Sequence, residues 1–117
     1  MKKIINLELY PVKIYIYKGL TDKQFSLELK KDSSGMASDS FIQNMSNDNM
    51  LACVDNHLGH IVMRFRDKHP KGDIIAHESF HATKKIMELV GIGMCEESDE
   101  AWSYMVGYLF KAIYQLK

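Results

Sequence analysis

The 117-residue chain has only two prolines, two cysteines and no excess of charge of either sign. The two thiols, Cys53 and Cys95, form no CxxC pair and are too few for a disulfide scaffold, so they fit a reduced cytoplasmic protein. Basic and acidic side chains both number 15, and the formal net charge is zero. That balance lacks the basic excess of a nucleic-acid binder or of a protein drawn to an anionic membrane. Long apolar runs are missing too, since no stretch approaches the ~20 residues of a membrane span. The opening "MKKIINLELYPVKIYIYKG" has the lysines of a secretory leader, but Glu8, Pro11 and Lys13 interrupt its apolar run and no small-residue cleavage site follows. The expectation is a soluble cytoplasmic protein, a single domain over residues 1–117, because a chain of this length buries one core and not two.

Residues 4–17 are rich in Ile, Val and Tyr, and Pro11 divides them. They are expected to form one bent strand or two short ones, with the proline at an edge or bulge. Thr21 and Gln24 make a T-x-x-Q capping box that opens a helix to about Lys31. The polar segment 32–49 is expected to be mostly loop, with a short strand around Phe41. Two apolar runs, "MLACV" (50–54) and "HIVMRF" (60–65), flank the turn-like "DNHLG" and suggest a β-hairpin. A long helix follows, with Asp73 as its N-cap and Gly91 just past its end, burying Ile75, Ala82, Ile86 and Val90. Ser98 is expected to cap a last helix whose core stripe is Trp102, Met105, Leu109 and Ile113. Strands, a hairpin and then two consecutive helices make an α+β chain, not a doubly wound one.

The chemistry concentrates in "IIAHESFHATKK", residues 74–85. His77 and His81 are four apart, so they share one helix face about 6 Å apart along the axis. Two imidazoles so placed can converge on one cation. Glu78 is turned about 100° from His77, beside the cation and not onto it, where it can take a proton from an activated water. This is the H-E-x-x-H arrangement of zinc hydrolases. A catalytic zinc also needs a third protein ligand and an open position. The next helix begins with Glu96, Glu97, Asp99 and Glu100. Glu100 can face the histidines, Glu97 rivals it, and either acid also complements the helix N-terminus.

"HESFH", followed after 18 residues by "DEAWSY", resembles the gluzincin branch of the zincin metallopeptidases. The fuller run "IIAHESFHA … SDEAWSYMVGYLF" is similar to small, mostly uncharacterised zincin-like proteins of phages and prophages. The resemblance covers residues 74–110 well and the first 60 only loosely. It implies Zn²⁺ held by His77, His81 and Glu100, Glu78 as general base, and a protein or peptide substrate. Larger gluzincins place an acid four residues after the ligand Glu, where this chain has Tyr104, and often add a later His, of which there is none after His81. Tyr104 or Tyr108 is the remaining candidate for stabilising an oxyanion.

Other readings carry less. Glu78 and His81 also spell the E-x-x-H of di-iron bundles, but a second copy and further glutamates are missing. A facial triad of non-haem iron would have no use for Glu78. His57 and His60 flank the expected turn, Cys95 is an alternative ligand, and Arg64, Arg66, Lys68 and Lys71 make a locally basic stretch before the long helix. "HIVMRF" is expected to be the edge strand beside which an extended substrate would pair. The resulting expectation is a small zincin-like domain, a short antiparallel or mixed sheet packed on the HExxH helix and the C-terminal helix, that hydrolyses peptide bonds. Its competitor is an inactive zincin-like module that binds a protein partner and carries a structural zinc.

Overall fold

The computed structural model describes residues 1–8, 10–46 and 50–116. Along the chain it contains β1 (Lys2–Asn6), β2 (Lys13–Lys18), α1 (Asp22–Asp32), α2 (Asp39–Asn44), β3 (Ala52–His57), β4 (His60–Phe65), α3 (Gly72–Leu89) and α4 (Asp99–Gln115), with a 3₁₀ turn over Glu96–Ser98. The four strands make one mixed sheet in the order β1-β2-β4-β3. β1 and β2 are antiparallel, β2 and β4 parallel, and β3 and β4 antiparallel. The α+β class expected from the sequence holds.

Side-chain alternation explains the layering. Ile14 and Ile16 of β2, with Ile61, Met63 and Phe65 of β4, point to one face and form a core with Ile75, Ala82 and Ile86 of α3 and Leu109 and Ile113 of α4. Tyr15, Tyr17 and Val62 point the other way, onto Phe25 and Leu29 of α1 and Ile42 of α2. Successive strand residues face opposite sides, so strands covered on both faces must be apolar at nearly every position. β2 and β4 are, and they are the central pair. On the second face Arg64 is 1% exposed, its charge met by Asp22 Oδ1 at 2.7 Å and by the carbonyls of Met45 and Leu20.

Several local expectations hold. Thr21 and Gln24 form the capping box at the start of α1. Two short strands form in the first segment, although Pro11 lies in the connection between them and not at a strand edge or bulge. Gly91 sits at φ 76°, just past Val90, the C-cap of α3, as a left-handed helix stop requires.

Others are corrected. The strand expected around Phe41 is helix α2: the Ser38 hydroxyl accepts from Phe41 N, and Ile42 and Met45 are buried. Residues 47–49 of that expected loop lie outside the described residues, as does Leu9 within the first strand pair. β3 runs to His57, so the hairpin turn is only Leu58 and Gly59, both at positive φ, the type I′ geometry that matches strand twist. Lys71, not Asp73, occupies the N-cap position of α3 and makes no side-chain cap bond. Ser98 is the N-cap residue of α4, but its hydroxyl accepts from Cys95 N and does not cap the helix. The segment "HIVMRF" is β4, paired on both sides, so the sheet edge on this side is β3. No helix among the described residues is long and apolar enough to cross a membrane.

Candidate metal centre

Helix α3 sets out its functional residues by rotation. Its core face carries Ile75, Ser79, Ala82 and Ile86. Glu78 lies on the flank towards β3, the flank on which Lys85, seven residues on, reaches Asp55 at 3.7 Å. Phe80 lies on the flank towards α4, its ring 6.3 Å from that of Trp102. Between the two flanks, away from the core, are His77 and His81, both exposed.

The imidazoles converge. His77 Nε2 and His81 Nε2 are 3.0 Å apart, and the rings meet edge to face at 4.6 Å. Two bonds of about 2.0–2.1 Å at a tetrahedral angle would set the nitrogens roughly 3.3 Å apart. The spacing and the nitrogen chemistry of the pair therefore suit zinc. Glu78 is 8% exposed. Burial pushes its carboxyl above the ordinary carboxylate range, and the neighbouring His77 and His81 partly oppose that shift. A buried acid with a raised pKa, next to paired imidazoles, is suited to exchanging protons nearer neutral pH.

His77 and Glu78 also form one wall of a cleft of about 430 Å³, whose other wall is Leu51 and Ala52 at the start of β3. The edge strand therefore begins directly beside Glu78. That role was expected of residues 60–65 and belongs to 52–57. Recognising Leu58-Gly59 as a two-residue turn is the sequence signal that would have lengthened β3.

The third ligand is where the structure and the expected set part. α3 and α4 run antiparallel: Phe80 faces Trp102, and a β-carbon added at Gly72 would lie 3.9 Å from the Phe110 ring. That register sets Glu100 and Ala101 level with His81. Glu100 nevertheless lies about 200° around α4 from the inward-facing Trp102, and it is exposed. Glu97 is exposed in the 3₁₀ turn, and Cys95 Sγ contacts Ser98 Oγ at 3.4 Å. Among the described residues no three His, Cys, Asp or Glu side chains are grouped so as to hold a metal. Tyr104 is 74% exposed. With Tyr108 it lines a different groove, of about 510 Å³, against Leu7 and Tyr10.

No protein-family description, curated protein or solved structure matches the chain.

Proposed function

We propose that the protein is a zinc-dependent metallopeptidase, with His77, His81 and Glu100 as the metal ligands and Glu78 as the general base. The observation that carries the reading is the 3.0 Å approach of the two Nε2 atoms next to a buried Glu78. A zinc ion held there would supply Lewis acidity, polarising a carbonyl oxygen and lowering the pKa of water to roughly 7. Glu78 accepts the proton of the attacking water and returns it to the leaving amine. Its burial beside Leu51 and Ala52 keeps bulk water from competing for that proton. The edge strand β3 aligns an extended substrate through backbone hydrogen bonds, which give affinity with little sequence selection. A protein or peptide substrate follows from that alignment. Tyr104 is left out of the machinery because it lines the other groove.

A second reading has its own support. The exposure of Glu100, with no third side chain grouped with the histidines among the described residues, favours an inactive zincin-like module that binds a partner. Elemental analysis separates the two. The peptidase reading expects one zinc per chain in wild type and Glu97→Ala and none in Glu100→Ala, together with cleavage of an unstructured protein substrate. Zinc retained by Glu100→Ala removes Glu100 from the ligand set. Bound zinc without any cleavage moves the conclusion to the module.

A further inference from the structure

A second pocket lies on the opposite face of the sheet from His77. It has a volume of about 380 Å³ and is closed by the end of α1, strand β2 and the β3–β4 turn. Its polar lining includes Lys13, Tyr15, Asp32, Ser34 and His60. Asp32 is the carboxylate among these, and it is already engaged. Lys2 Nζ donates to it at 3.0 Å and the Tyr17 hydroxyl at 2.8 Å.

The other four groups have capacity to spare, and all of it includes donors. Lys13 N donates to His60 Nδ1 at 3.0 Å, so the proton of a neutral His60 ring sits on Nε2. That N–H has no protein partner among the described residues, and neither does the Tyr15 hydroxyl, the Ser34 hydroxyl or the Lys13 ammonium. Tyr15 is only 6% exposed, with its ring edge-on to His60 at 6.2 Å. The ring is packed in the core while the hydroxyl keeps solvent contact at the pocket, where a ligand can reach it. Met36, Leu58 and Val62 complete the wall with apolar surface.

Backbone strain gathers at the same place. Ser34 at φ 54° and Leu58 at φ 50° are the two positive-φ residues other than glycine among the described residues, and both line this pocket. Residues held in sparsely populated conformations cluster at ligand sites. The volume falls in the range of small-molecule pockets.

We infer that this pocket binds a small oxyanion carried on an apolar body, a carboxylate or a phosphate ester, gripped by Lys13, Tyr15 and His60. Neither the histidine pair nor a metal takes part, so the inference stands apart from the proposed peptidase.

The test is a titration of metal-free full-length protein, followed by amide chemical shifts. Phenylacetate and phenyl phosphate are the probes, and benzyl alcohol is the uncharged control. Saturable shifts at Tyr15, Ser34 and His60 with at least one anion, absent with benzyl alcohol, are expected, and the tighter anion identifies the source. Binding should weaken about tenfold in Lys13→Ala and in Tyr15→Phe. Tyr15→Phe removes a hydroxyl with no protein partner, so its fold and stability should match wild type. The inference is overturned by no saturable shift with either anion, by equal shifts with benzyl alcohol, or by undiminished binding in both variants.

Discussion

His77 Nε2 and His81 Nε2 stand 3.0 Å apart, one turn from each other on the outward face of α3. Neither ring nitrogen has another protein partner among the described residues. At this distance one ring donates its Nε2–H to the other, and a cation held by both nitrogens would take the place of that proton.

Metal linkage follows. Zinc at a free concentration 100 times its Kd should raise the unfolding free energy of wild type by about 2.7 kcal/mol. His81→Ala should lose that increment and, without metal, remain within about 0.5 kcal/mol of wild type, because the side chain is exposed. Denaturant melts with and without zinc read both values. Equal zinc stabilisation of the two proteins would contradict a site at this pair.

Glu78→Gln separates binding from chemistry. The amide keeps the shape of Glu78 but cannot accept the water proton, so peptide hydrolysis should fall by about 10²–10⁴-fold. Zinc content should not change, since Glu78 is placed beside the ligands and not among them. Parallel assays of cleavage and bound metal check this, and loss of both together would make Glu78 a ligand or a structural residue.

The Arg64–Asp22 pair gives the fold an acid sensitivity. A hydrogen bond from Arg64 holds the Asp22 carboxyl below its ordinary range. A depressed folded-state pKa stabilises the fold fully above the unfolded value of about 3.9 and is lost as pH falls through the depressed value. Wild type should therefore lose its stability advantage over Asp22→Asn below about pH 4. Urea melts at neutral pH and at acid pH measure the difference, and an advantage independent of pH would show that the charge of Asp22 is immaterial.

The β3–β4 turn can be improved. Leu58 is 64% exposed and sits at φ 50°, a conformation that costs an ordinary L-residue roughly 1–2 kcal/mol. Leu58→Asn makes the turn Asn-Gly, the favoured type I′ pair, and should add about 1 kcal/mol. Thermal unfolding checks the sign, and a lower melting temperature would mean that Leu58 packs in a way its exposure does not reveal.

The legible parts of the sequence were those whose cause is local. Thr21 and Gln24 satisfy each other's backbone within one turn, and Gly91 takes the left-handed geometry that ends α3. The pairing of His77 with His81 needs only the pitch of a helix. The segment around Phe41 misled because its helix depends on a non-local partner: Ile42 is buried in the core formed with α1 and the sheet.

Composition and periodicity by themselves thus determined the α+β class, the limits of α1, the presence of α3 and α4, and the convergence of two imidazoles beside a carboxylate. Tertiary structure decided the order of the strands, because β2 and β4 pair in parallel across a separation of more than forty residues, and that pairing made β3 the edge beside Glu78. It also decided which side chains share the pocket behind Tyr15, and where Glu100 points relative to His81. Those relations arise from the packing of one amphipathic surface on another, and no single stretch of chain contains both surfaces.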